Sequence, residues 1–133
     1  MLWEARARLE GLADRIRFLG FRRDVPDLLR AGDAHVLPSR YEGYSLITHE
    51  ALCCGLPAYV SASAGIAERY PPDLAELLIP DPDDSGGLVE RIRGWADLTR
   101  RIGPSLAGFS ETLRQGTWDD MAARFVRFLD ESA

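Results

Sequence analysis

The chain is expected to be α/β, with a parallel sheet of about four strands and helices on both faces, built from 133 residues. Two observations carry that expectation. Short apolar runs alternate with segments of helical periodicity across brief connections. The strand candidates are continuous apolar runs, as in strands covered on both sides.

Taken in order, Leu2, Ala5, Leu9 and Leu12 recur at helical spacing, and Gly11 marks fraying near the end of that helix. Arg15 to Leu19 reads as a short strand ending at Gly20. Asp24 is placed to cap a short helix with Pro26 in its first turn, Leu28 and Leu29 in its core face and Gly32 at its end. A strand at 34–38, a helix at 45–54, a strand at 57–61, a helical turn at 64–70 and a strand at 75–79 follow. The turn 80-PDPDDSGG-87 leads into a helix at 87–99. The chain closes with a helical segment over 104–131, divided into helices near 104–114 and 117–131. The second of these carries Trp118, Met121, Ala122, Phe125 and Leu129 on one stripe.

Composition narrows the function. A 46% apolar content supports a core, and no apolar run is long enough to span a bilayer. The charged start lacks the pattern of a secretory signal, which points to the cytoplasm. A net charge of −5 argues against nucleic acid as a partner. Arginine supplies all 16 basic charges and lysine none. Cys53 and Cys54 are neighbours on a helix, so they read as two small buried thiols and not as a disulfide. His49, Glu50 and Cys53 lack the second histidine of a zinc protease motif, and His35 belongs to a strand, so no metal is expected.

The one stretch that reads as a ligand site is 40-RYEGYSLITHEALCCGLPAYVS-61. A carboxylate at the mouth of a parallel strand, Glu42, and another in the following helix, Glu50, can face one crevice, where open α/β sheets bind ligands. Ionised carboxylates accept well from the paired hydroxyls of a ribose or hexose.

These residues sit in a wider pattern. Glu42 is preceded by P-S-x-x, and Glu50 leads into E-A-x-x-C-G-x-P. With 17-RFLGF-21, the run from Asp24 to Glu68, 77-LLIPDPDD-84 and Trp118, the chain resembles the C-terminal donor-binding domain of the retaining GT-B glycosyltransferases called group 1, or family 4. The resemblance covers nearly everything after residue 15 and implies a Rossmann-like, truncated GT-B C-terminal domain over 1–133. It further implies transfer of a sugar from a nucleoside-diphosphate sugar, without metal or other cofactor. Glu50 would then bind ribose and Glu42, as the catalytic candidate, the transferred sugar. Backbone of Gly43, Tyr44, Ser45 and Leu46 would face the donor sugar and diphosphate, Gly20 and Phe21 would lie near the base, and 61-SASAG-65 would close the far side. His49 is expected to be a packed or surface histidine and not a general base.

The family's basic pair and first two strands have no counterpart in this chain. In the order 3-2-1-4-5-6, the remaining strands correspond to 3, 4, 5 and 6, leaving a gap at the centre. The expected remedies are a first half or N-terminal domain on a separate chain, a homodimer, or a rearranged sheet pairing 15–19 directly with 34–38. In a full assembly the acceptor is a sugar, lipid or small molecule, and the location cytoplasmic or peripheral at the inner membrane. The alternative is a catalytically silent nucleotide-sugar-binding or protein-interaction module derived from the same domain.

Overall fold

The computed structural model describes residues 2–131. Helix α1 covers Leu2–Leu9, α2 Val25–Ala31, α3 Leu46–Cys53, α4 Ser85–Arg93, α5 Trp95–Arg114 and α6 Trp118–Glu131. The strands are β1 His35–Leu37, β2 Ala58–Ser61 and β3 Leu78–Ile79. Two 3₁₀ turns, Gly65–Arg69 and Pro72–Leu77, join β2 to β3.

The sheet is parallel and ordered β1-β2-β3, with His35 opposite Ala58 and Val60 opposite Leu78. All four residues of β2 are buried, so this central strand is covered on both faces, as its unbroken apolar character predicts. On one face the Tyr59 hydroxyl donates to the Arg91 carbonyl of α4 at 3.3 Å. Tyr70 ties the turn after β2 back to the sheet, donating to Ala58 O at 2.9 Å. Burial pushes its phenol pKa up beyond the ordinary range.

The sheet has three strands and not about four. The segment 15–19 is irregular: the Arg15 and Ile16 amides both donate to Leu12 O at 2.9 Å, closing a turn instead of joining a ladder. A strand is stable only against a neighbour, and this segment has none. The rearranged sheet pairing 15–19 with 34–38 is therefore not formed. Ile16, Phe18 and Leu19 are left 42%, 47% and 52% exposed. The first helix also stops short of Leu12, at Leu9, with Gly11 left-handed at φ 68°. Asp24 occupies the N-cap position of α2 but spends its carboxylate on Arg22, leaving the cap without a side-chain bond.

Helix boundaries in the last third also depart from expectation. The break falls at Gly94, and one 20-residue helix runs through Gly103 and Pro104. Proline inside a helix removes one hydrogen bond and crowds the preceding turn, at a cost of about 3 kcal/mol. Leu98, Ile102, Leu106, Phe109 and Leu113 repeat at helical spacing on the same helix, and each is at most 8% exposed. Burying such a side chain is worth roughly 1.5–3 kcal/mol, so the stripe outweighs the proline several-fold. These residues join Leu52, β2, Ile66, Leu74, Leu77 and Ile79 in the main core.

Helix α5 also fixes α3. Ser110 Oγ donates to Leu52 O, and Arg114 Nη1 donates to Cys53 O at 2.8 Å, satisfying carbonyls at the end of the shorter helix. Cys53 and Cys54 are free and half-buried, not fully buried. Burial raises the Cys53 thiol pKa, partly offset by Arg114.

Pro104 is exposed on the outer side of α5. Pro104→Ala is expected to stabilise the chain by about 1–3 kcal/mol, since it restores a backbone donor without touching the core. Urea denaturation of the two proteins checks this, and equal midpoints would count against it.

Candidate functional site

Of the candidate residues, Glu42, Gly43, Tyr44 and Ser45 follow β1 at the carboxyl edge of the sheet, where each parallel strand feeds a loop. The loop after β1 contains Arg40, Glu42, Gly43 and Tyr44, and Ser45 opens α3. Gly43 O accepts from Gly65 N at 2.7 Å, joining this loop to the one after β2. A side chain on Gly65 would collide with that same Gly43 carbonyl, so the close approach of the two backbones requires glycine. The loop after β3 is attached from the other side: Arg40 reaches Asp83 across 43 positions of sequence, at 2.7 Å. This pair is exposed, and its effect is to orient the loops more than to stabilise them. The loop 61–65 is thus tied to the Glu42-bearing loop by the Gly43–Gly65 backbone bond.

Ser45 is the one non-glycine residue of positive φ among the described residues, at φ 72°. The conformation is costly for an L-residue with a side chain. Its hydroxyl offsets this by capping α3, accepting from Thr48 N at 3.4 Å and lying 2.7 Å from Thr48 Oγ1. His35 of β1 extends the arrangement, with Nε2 3.1 Å from the same Thr48 hydroxyl. Ser45 and Thr48 are buried, so a short polar chain crosses from the sheet to the first turn of α3. Tyr44 and His49 form a second link, hydroxyl to Nδ1 at 3.0 Å with the rings tilted 43°.

Within this frame Glu42 is half-buried in the loop and Glu50 is exposed on α3. Neither carboxylate has a hydrogen bond or salt bridge to any described residue. Both carboxylates keep their acceptor capacity unspent. Leu46, at the helix entrance, is 72% exposed. Gly20 is a left-handed turn at φ 64°, and Phe21 is 89% exposed, so this pair packs against nothing in the site. Cavities of about 380 and 300 Å³ lie elsewhere, both bordered by Arg69 and Thr112.

Both histidines hold their protons less readily than a free imidazole. Burial is the cause for His35. Burial leads for His49 also, with Arg69 adding to the shift and Glu50 opposing it. No group of three or more His, Cys, Asp or Glu side chains suited to a metal is present among the described residues.

Sequence reasoning passed over His35 as a strand residue and gave Thr48 no role. A buried threonine one turn into a helix is a signal only once the strand histidine is known to face it. Arg40 and Asp83 carry no local signal at all.

A small parallel sheet flanked by helices has the architecture of a partial Rossmann-like domain. Residues 2–97 match the family described as glycosyl transferases group 1, and the chain belongs to that family. It is 34% identical over 98 residues to a lipopolysaccharide core biosynthesis mannosyltransferase of Rhizobium meliloti, covering 73% of this chain and 28% of the relative. It is 32% identical over 94 residues to a probable transglycosylase of Burkholderia thailandensis, covering 70% and 24%. Over 136 residues it is 30% identical to a D-inositol 3-phosphate glycosyltransferase of Jonesia denitrificans, covering 95% and 31%. The chain thus spans about a quarter to a third of these relatives. No solved structure matches it.

Gly65→Ala is expected to destabilise the chain by about 1–3 kcal/mol, because a backbone carbonyl cannot yield as a side chain does. Chemical denaturation reads this directly, and unchanged stability would mean that the two loops part freely.

The histidines set a pH dependence. Their folded pKa values lie below the ordinary 6.5, so the unfolded chain binds more protons as pH falls through that value. Their contribution is complete above about pH 6.5 and is lost progressively below it. Melting temperatures at pH 7.5 and 5.5 should fall in that order, and His35→Gln should reduce the difference.

Proposed function

We propose that this chain is the C-terminal, donor-binding part of a retaining GT-B glycosyltransferase that transfers a sugar from a nucleoside-diphosphate sugar. Glu50 accepts from the ribose hydroxyls and Glu42 from hydroxyls of the transferred sugar, where it is the catalytic candidate. Backbone groups of Gly43, Tyr44, Ser45 and Leu46 face the diphosphate, and Gly20 and Phe21 border the base. The single observation that carries this reading is the pair of uncommitted carboxylates on a carboxyl-edge loop and helix that other bonds hold in place.

An ionised carboxylate accepts two hydroxyl donors at once, which suits a vicinal diol. As the glycosidic bond loosens, the sugar gains positive character, and a nearby carboxylate interacts more strongly with the transition state than with the ground state. The leaving diphosphate gains negative charge, and its positive clamp comes from outside this lysine-free sequence. No metal is invoked.

A second element of the proposal concerns assembly. Ile16, Phe18, Leu19 and Phe21 are exposed on one segment, and β1 is paired only with β2 among the described residues. Apolar surface and an open strand edge call for cover. A polypeptide carrying the first half of the domain, or a second copy of this chain, supplies it. The acceptor, a sugar, lipid or small molecule, binds across the completed cleft, in the cytoplasm or at the inner membrane surface. A silent nucleotide-sugar-binding module is the competing reading, favoured by the absence of lysine.

Calorimetric titration with UDP- and GDP-sugars tests donor binding. The chain alone is expected to bind weakly, because half the cleft is supplied from elsewhere, and micromolar affinity would contradict the need for a completing partner. In the completed assembly Glu50→Gln should weaken donor binding about 10- to 150-fold, the worth of a hydrogen bond to a charged group. Glu42→Gln should act mainly on kcat. Wild-type kinetics in both variants would remove the two acids from the site.

A further inference from the structure

We propose that the 300 Å³ cavity bordered by α5 and α6 binds a small phosphate ester, its phosphate held by the guanidiniums of Arg69 and Arg124, and that the occupant fastens α6 to the domain. Neither Glu42, Glu50 nor the 43–46 turn takes part, so the proposal stands apart from the donor-site reading.

The starting observation is an unspent charge. From β1 to the end of α5, every other arginine donates to a carboxylate or a main-chain carbonyl, and Arg69 alone has no partner among the described residues. Arg69 ends the first 3₁₀ turn and borders both the 300 Å³ cavity and its 380 Å³ neighbour. Arg124, on α6, borders the smaller cavity and is likewise without a bond to any described residue. The charge of Arg69 reaches as far as His49, where it adds to burial in disfavouring the imidazolium.

Asp120 is the one carboxylate on the smaller cavity among the described residues, and it is committed to its own helix. Its Oδ2 accepts from the Thr117 amide at 3.1 Å and from the Thr117 hydroxyl at 2.7 Å, closing the amino end of α6. That helix end is therefore not the site. Two guanidiniums against one carboxylate leave the cavity cationic. Like charges around one small space repel, and little apolar packing opposes them, because α6 has no buried residue. A phosphate dianion reverses the sign. Each guanidinium offers it a fork of N–H donors, and the two contacts join the turn after β2 to α6. The larger cavity gives room for the organic part of the ester, against Pro71 and Phe109 and beside the same Arg69.

The test uses the full chain and inorganic phosphate at constant ionic strength, since salt alone screens surface charges. Arginine Nε–H resonances read occupancy, and amide hydrogen exchange reads the attachment of α6. The Arg69 and Arg124 shifts are expected to saturate with a midpoint on the order of 1 mM. At phosphate about tenfold above that midpoint, α6 amides should exchange about tenfold more slowly, because the helix must release the ligand to open. Arg69→Gln and Arg124→Gln should each raise the midpoint about tenfold. Arg127→Gln, on the same helix but outside the cavity, should leave it unchanged. Glycerol phosphate should bind more tightly than the free ion, and acetate, with a single charge, more weakly. Should Arg69→Gln fail to fold, Arg124→Gln on the exposed helix carries the same measurement. Shifts that do not saturate, a midpoint indifferent to both variants or equally raised by Arg127→Gln, or α6 exchange unmoved at saturating phosphate would overturn the proposal. Glycerol phosphate binding more weakly than inorganic phosphate would overturn the assignment of an ester.

Discussion

The apolar stripe of α5 presses the longest helix against the sheet, and the arrangement of the other elements follows from it. Phe109 lies against Tyr70 with ring centroids 5.3 Å apart, and Leu106 and Leu113 complete the same seam. Because that seam is continuous, Ser110 and Arg114 arrive at the carbonyls that end α3. Helix α3 is only eight residues long and would not persist alone. Held at its carboxyl end by α5 and at its amino end by Ser45, it becomes a fixed platform for Glu50. Packing at the back of the domain thus determines the position of a charge at its front.

The front edge is assembled differently. Its loops meet through few bonds, each between residues distant in sequence: Gly43 with Gly65, Arg40 with Asp83, Ala62 with Ile79. None of these contributes much apolar burial. Held by a few polar bonds and little apolar burial, such an edge opens at lower cost than the core behind it.

How much of this was legible from the residues depends on whether the signal is local. The strands near 34–38 and 57–61 and the helix near 45–54 were readable because continuous apolar runs and glycine punctuation are local properties. The helix near 117–131 was readable too, but not a packing role for its apolar stripe: α6 buries none of its residues, and Trp118, Phe125 and Leu129 are 81%, 63% and 52% exposed. The segment 15–19 was misread because strand propensity says nothing about whether a neighbouring strand exists. Gly103-Pro104 misled for the opposite reason: a strong local breaker was overruled by five buried side chains. In the site, the Glu42–Glu50 spacing within its flanking motif was visible, whereas the link from His35 to Ser45 arises from the juxtaposition of a strand and a helix turn. That juxtaposition has no signature in either segment.

Tyr59 sits at the centre of β2, only 1% exposed, and its hydroxyl meets a carbonyl at the far end of α4. Because the ring spans from the sheet to a peripheral helix, it is a natural spectroscopic reporter. Tyrosine absorbance changes when a buried phenol gains water, and the Tyr59 hydroxyl gains it as soon as α4 lifts from the sheet. Detachment of the outer helix and dissolution of the inner core are therefore separable events in principle, with the phenol sensing the first and the aliphatic interior the second. A probe specific to that ring therefore distinguishes a domain that melts as one cooperative body from one that sheds its periphery first.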